Sequence, residues 1–162
     1  MTSWSDVLAA APELATRVQE RFDATGLGLL ATLRRDGFPR ISGIEPLFAL
    51  DELWLGMMPE SRKAHDVVRD ARFSLHSATI DKEVKEGDAK ITGRAVLVED
   101  ADTFTRFLQA FEAHTGYSPP PEPFPLFKVY VYEVSMVRPG GDHLDIDWWR
   151  VGGTEPVHVE RR

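Results

Sequence analysis

The chain holds 162 residues, with 19 Lys+Arg against 26 Asp+Glu, a formal net charge of −7 and no cysteine. That length suits one domain whose core needs no covalent staple, and the absent thiols exclude disulfides, Cys-ligated zinc, Cys-ligated iron–sulfur clusters and a cysteine nucleophile. The acidic balance excludes bulk nucleic-acid binding, which rests on neutralising phosphates; a small anion held by a local basic cluster remains open.

The first predicted element is helical. Trp4, Val7, Leu8, Ala11, Leu14, Val18 and Phe22 recur every three or four residues between Ser3 and Ala24. Pro12 interrupts that run and is tolerated only in a first turn. The expectation is therefore a short helix, a joint near Ala10–Ala11 and a second helix from Pro12. Gly26 is placed to stop it. The period then changes. Leu27 to Leu33 is a short apolar strand, and Arg35-Asp36-Gly37-Phe38-Pro39 is hairpin chemistry. Arg40 to Phe48 returns as a second strand, Leu50-Asp51-Glu52 turns, and Leu53 to Met58 is a third, which reads as an antiparallel meander.

Ser61 is a good cap for a short helix to Asp70, with Ala64, Val67 and Val68 as its buried face. Arg72 to Ser77 alternates as a fourth strand, Thr79 to Gly87 is a charged loop, and Asp88 to Val98 is a long fifth strand. Asp102 to His114 is a helix with Phe104, Phe107, Leu108 and Phe111 at i, i+3, i+4 and i+7. Asp100 or Asp102 caps it, and Gly116 ends it. The proline-rich stretch 117–125 excludes regular structure and reads as a pocket lid or an interface loop. Leu126 to Val137 is a sixth strand, Pro139-Gly140-Gly141 a turn, and His143 to Val151 a seventh. Gly152 to Arg162 is a polar, loosely held tail.

This pattern predicts a mainly β fold: an antiparallel barrel of six to seven strands with helices inserted. The division is 1–25 helical segment, 26–151 barrel and 152–162 tail, within one domain. No apolar run approaches the ~18 residues of a membrane span, and no signal-peptide pattern is visible. A cytoplasmic protein with no membrane partner is expected.

Three motifs bear on chemistry. Gly26-Leu27-Gly28-Leu29-Leu30-Ala31 matches a dinucleotide fingerprint, but it follows a helix and opens a strand, the reverse of the required context. Its glycines read as a helix stop and a close strand crossing. His143-Leu144-Asp145-Ile146-Asp147 puts three polar groups on one strand face; such a set could hold a metal, but the wet side of a sheet is the simpler reading, with a pocket-rim role beside Trp148 and Trp149, and no metal site is expected. Ser61-Arg62-Lys63-Ala64-His65 is the most informative. It opens a helix with two cations where the dipole disfavours them, and a bound anion such as a phosphate offsets that repulsion. No G-x-S-x-G, Walker A or H-E-x-x-H motif supports a hydrolase or phosphoryl-transfer reading.

From Gly26 to Ala110 the chain resembles the pyridoxamine 5′-phosphate oxidase family, the FMN-binding split barrels. The resemblance rests on Leu30-Ala31-Thr32-Leu33, Asp36-Gly37-x-Pro39-Arg40, Ser61-Arg62-Lys63-Ala64-His65, Arg69-Asp70-x-Arg72-Phe73-Ser74-Leu75 and Gly93-Arg94-Ala95. Trp148-Trp149-Arg150 resembles the family's last strand. The resemblance implies a split β-barrel that binds FMN, or the deazaflavin F420, as a homodimer with cofactor at its interface. It implies phosphate binding by Arg40, Ser61, Arg62 and Lys63, and a flavin lying along Met57 and Met58. It further implies Asp88 approaching from the partner subunit and Trp149 or Trp148 beside the ring. A flavin-dependent oxidoreductase acting on a small molecule follows, with no catalytic residue assigned.

Glu45, Asp88 and Gly56-Met57 depart from the oxidase pattern, and no Arg-x-His follows Trp149, so pyridoxamine phosphate is not the expected substrate. The rival readings are a barrel that carries a cofactor without turnover and a haem-binding or haem-degrading relative.

Overall fold

The computed structural model describes residues 1–118 and 122–162. The three prolines 119–121, at the centre of the 117–125 loop, lie outside the described residues, so its lid or interface role falls outside them too.

Two short helices open the chain, α1 (Trp4–Ala10) and α2 (Pro12–Asp23). The joint falls where Pro12 requires it: Pro12 stands in the first turn of α2, and Ala11 caps both helices with φ −143°. Ser3 and Asp6 form a reciprocal capping box on α1. Trp4, Val7, Leu14, Val18 and Phe22 are all buried in the main core. Each large side chain removed from water there contributes about 1.5–3 kcal/mol. Trp4 meets Phe48 edge-on at 4.9 Å between ring centroids. The N–H of Gly26, at φ +65°, donates to the Phe22 carbonyl at 2.9 Å and ends α2.

The strands are β1 (Gly28–Leu33), β2 (Pro39–Ile44), β3 (Pro46–Ala49), β4 (Glu52–Gly56), β5 (Arg72–Ser77), β6 (Asp88–Leu97), β7 (Leu126–Pro139), β8 (Leu144–Arg150) and β9 (Val157–Arg161). Two further helices are α3 (Arg62–Arg69) and α4 (Ala101–Thr115). All pairings are antiparallel, in the order β2-β1-β5-β6-β7-β4-β3. Seven strands lie on that path, with β8 pairing β7 and β9 pairing β8. The antiparallel β fold with inserted helices is as expected, and the expected six to seven strands become nine because the second divides and the tail adds one.

The expected second strand, Arg40 to Phe48, is two strands. It breaks at Glu45, because Pro46 offers no N–H to continue the ladder. The simple meander is therefore wrong: β2 and β3 stand at opposite ends of the order, yet one residue joins them. Consecutive Cα atoms lie ~3.8 Å apart, so the two ends must meet, and the sheet curls into a barrel. The hairpin β3–β4 turns on Leu50 and Asp51, both at φ 57°, the paired left-handed geometry of a tight primed turn.

β7 produces the split. Its first residues pair with β4 and its last with β8, while β6 runs along its length. Between those two partners, Thr2 bridges Val131, and the Val131 N–H donates to the Thr2 carbonyl at 2.8 Å. At Gly93, where β6 is irregular against β7, an added Cβ would meet the Tyr130 carbonyl oxygen at 2.1 Å, so only glycine lets the strands approach.

α4 caps the outer face of β3 and β4, not the barrel interior. Phe107 is buried against Trp54 and Leu126, with Phe104, Leu108 and Phe111 half-buried around them. Asp100 caps α4, and Gly116 at φ 73° ends it. Two further expectations change. Val68 is 63% exposed, and Asp66 takes its place on the inner face of α3. The tail is not loose throughout, since β9 pairs with β8 over five positions while keeping every side chain exposed.

Candidate functional site

The basic site forms where α3 crosses the β1–β2 hairpin. Asp66, on the inner face of α3 and 4% exposed, is its hub. Arg40 Nε from β2 donates to Asp66 Oδ2 at 2.7 Å, and Thr32 Oγ1 from β1 donates to the same oxygen at 3.0 Å. Both guanidinium nitrogens of Arg69, three residues along α3, reach Oδ1 at 3.3 Å. Arg69 also donates to the Leu33 carbonyl. Burial pushes the Asp66 carboxyl upward, but the hydrogen bonds from Arg40, Thr32 and Arg69 outweigh it and hold the group below the usual carboxylate range.

Around this hub, Arg34, Arg35, Asp36, Arg40, Arg62, Asp66 and Arg69 line an open depression of about 540 Å³. Five guanidiniums against two carboxylates leave it cationic in an acidic chain. Arg34 is spent on Asp36 at 3.0 Å. Among the described residues, Arg62 makes no ion pair or side-chain hydrogen bond. Arg62 opens α3, where the helix dipole disfavours a cation. An anion in the depression would be attracted by both. A larger cavity of about 680 Å³ lies between α2 and the β7–β8 end. Its Glu13, Glu20 and Asp147 outnumber Arg17 and Arg138, so it does not suit an anion.

The structure brings Arg40 and Arg62 together but not the whole predicted set. Ser61 is spent as the α3 cap, accepting from the Ala64 N–H at 3.4 Å. Lys63 reaches the other way and donates to the Gly43 carbonyl at 2.6 Å. Burial lowers its pKa, opposed by the nearby Glu45 carboxylate. Glu45 therefore serves Lys63 and does not line the basic depression. In the single chain Lys63 anchors β2 and does not line the basic depression.

Met57 and Trp149 also lie away from the depression. Both are core residues, 3% and 4% exposed, and the Trp149 indole N–H donates to the Gly153 carbonyl at 3.1 Å. Neither offers a free face in the single chain. Met58 is 76% exposed, and Trp148 is half-buried beneath Arg150. Asp88 opens β6, three strands along the sheet from β2, where it accepts from Thr79 Oγ1 at 3.1 Å and faces His76 at 3.8 Å.

Thr32, Asp66 and Arg69 carry the site's organisation; Thr32 and Arg69 lie in segments of the family resemblance with no role assigned there, and Asp66 lies in no motif. The one available hint is spacing: Asp66 is four residues after Arg62 and three before Arg69, on one helix face.

A family model described as Pyridoxamine 5′-phosphate oxidase matches residues 14–138. No curated protein matches the chain. Among solved structures, PhzG from Burkholderia lata 383, in complex with tetrahydrophenazine-1-carboxylic acid, superposes with TM-score 0.65 at 14% identity, covering 94% of this chain and 93% of its own. ChuZ from Campylobacter jejuni gives TM-score 0.73 at 15% identity, over 91% of this chain and 63% of its own. HutZ, the heme storage protein of Vibrio cholerae, gives 0.58 at 19%, over 74% and 88%. At these identities the likeness establishes the split-barrel fold. Among the described residues, no helix is long and apolar enough to cross a membrane.

Proposed function

Since the chain belongs to the pyridoxamine 5′-phosphate oxidase family, we propose that it is an FMN- or F420-binding oxidoreductase whose cofactor phosphate sits in the arginine-lined depression. The observation that carries this reading is the Arg40–Arg62 pair over the buried Asp66 hub. A bound flavin or deazaflavin supplies hydride chemistry at its central ring. The chain supplies the anchor. Arg62 is free to meet a phosphate oxygen, and Asp66 occupies only Nε of Arg40. Thr32 and Arg69 hold Asp66 so that this guanidinium keeps its place.

The single chain has no stacking wall beside that anchor, because Met57 and Trp149 are buried. A homodimer supplies one. The β1–β2 hairpin supports it, with Leu29 48%, Phe38 68% and Ile41 71% exposed. Asp88 and Met58 then act across the interface.

The haem reading has less support. An axial ligand must face a ligand-sized space, and among the described residues no histidine lines either the basic depression or the larger cavity.

Titration of the purified protein with FMN and then F420, followed by visible absorbance, tests the proposal. One cofactor binds saturably, and the Arg62→Ala variant weakens it by about tenfold, because charge-assisted contacts are strong. Uptake of neither cofactor, or an unchanged affinity for both in the variant, overturns it. A Soret band on haem addition, lost on one His→Ala change, moves the reading to haem.

A further inference from the structure

We propose that the face of β8–β9 that carries Asp145 and the buried Asp147 holds a divalent first-row metal ion of the zinc class, bound by His143, Asp145 and Glu160, with His158 as fourth donor. The inference stands independently of the cofactor.

The strand register assembles the group. Asp145 pairs opposite Glu160, and Asp147 opposite His158, so all four side chains share one face. His143 enters from the preceding turn. His143 Nε2 lies 3.2 Å from Asp145 Oδ1 and 3.8 Å from Glu160 Oε1, and His158 Nε2 lies 3.7 Å from the same Asp145 oxygen. The His143, Asp145 and Glu160 donor atoms all fall within 4.8 Å of one another. Tetrahedral zinc with bonds of about 2.0–2.2 Å spaces its donors roughly 3.3–3.6 Å apart. The cluster needs only small side-chain adjustments to reach that.

The outward nitrogens carry the second observation. His143 Nδ1 meets Asp142 Oδ1 at 3.0 Å, and His158 Nδ1 meets Asp147 Oδ1 at 2.7 Å. Arg17 fixes Asp147 from α2 at 2.9 Å. A carboxylate on the far nitrogen is the usual support of a ligating histidine, because it fixes the tautomer and aims the other lone pair inward. In the tautomer in which both Nδ1 atoms donate outward, the His143 lone pair and the Asp145 and Glu160 carboxylates converge on one space, and the His158 lone pair faces it from 3.7 Å beyond the Asp145 oxygen. Arg138 serves only the other Asp145 oxygen, at 3.3 Å. Either extra protons on both imidazoles or one cation relieves the repulsion.

The turn is shaped for this. A Cβ on Gly140 would stand 2.4 Å from His143 Nε2, and the Gly140 N–H donates to the His143 carbonyl at 2.8 Å. Two imidazoles with two carboxylates suit zinc, cobalt or nickel, whereas magnesium and calcium prefer all-oxygen shells. Glu160 and His158 are more than half exposed, so the ion has a path from solvent. Its ligands come from both sides of the β8–β9 pair, and binding would clasp the C-terminal strand to the barrel.

The test is calorimetric titration of tag-free, full-chain protein with zinc chloride, with cobalt absorbance as a geometric readout. We expect one zinc per chain, a cobalt spectrum of low coordination number and no competition from millimolar magnesium. Affinity falls at least tenfold in His143→Ala and in Glu160→Gln. Glu160 is exposed, so its amide variant keeps the test valid if the histidine variant misfolds. Gly140→Ala weakens zinc without removing a ligand. Absence of zinc uptake, or uptake unchanged in Glu160→Gln and Gly140→Ala, overturns the proposal and leaves a proton-bridged surface network.

Discussion

Asp66 and Asp145 each centre a charged cluster, and the two clusters settle their charge in opposite ways. Around Asp66, three elements send donors to one buried carboxylate, and the cations beyond it are left in surplus. Around Asp145, one guanidinium serves one oxygen, and the other oxygen meets two imidazoles whose far nitrogens are already engaged. Acceptors are in surplus there. A region that has satisfied its carboxylate and kept spare arginines suits an anion; one that has kept spare acceptors suits a cation. Net charge reports neither, since both occur in one chain of −7.

The sharpest way to break this contrast is to neutralise the two centres in turn. Asp66→Asn should cost about 3 kcal/mol, because it leaves the half-buried Arg40 without its partner, read as a lower urea midpoint. The acid limb follows from the same residue. Its folded carboxyl lies below the ordinary carboxylate value, so its contribution is complete above that ordinary value and is lost as pH falls through the folded one. A urea series from pH 6 to pH 2 should show a shallower acid slope in Asp66→Asn than in the parent; equal slopes would remove Asp66 from the hub.

Smaller effects sharpen the comparison. Arg62→Ala should weaken cofactor binding by about tenfold, or ~1.4 kcal/mol, while leaving the thermal midpoint of the free protein in place. A matching loss of stability would make Arg62 structural. Ser61→Ala removes the α3 cap and should cost about 1 kcal/mol by denaturation. Smallest of all, Glu160→Gln in metal-free protein should change stability by less than about 0.5 kcal/mol. The same carboxylate-to-amide change would then be severe in one cluster and silent in the other.

Local chemistry made much of this legible. Pro12 placed the α1–α2 joint, the phenylalanine spacing placed α4, and the alternation of Phe73 and Leu75 placed β5. Ser61 was readable as a cap and Arg62 as a cation short of partners. What stayed hidden is non-local. Asp66 bonds to Thr32 and Arg40, 34 and 26 residues earlier, and no periodicity encodes which helix residue will meet which strand. Lys63 turned from the site because a carbonyl 20 residues back lay within reach. Met57 and Met58 are neighbours in sequence, yet only the fold decides that one is core and the other surface. β9 escaped because its exposed side chains carry no burial pattern.

The single-residue join at Glu45 has a kinetic consequence. The hairpins β1–β2 and β3–β4 need only short loops, so each can form early. Glu45 keeps them side by side, but their other edges, β1 and β4, are linked only through β5, β6 and β7, so the barrel closes only when those strands are in place. Chain entropy must be lost before those distant pairings return anything. High contact order of this kind places refolding in milliseconds to seconds. A substitution that loosens β6 against β7 should slow that step, whereas one confined to the Leu50–Asp51 turn should act mainly on unfolding.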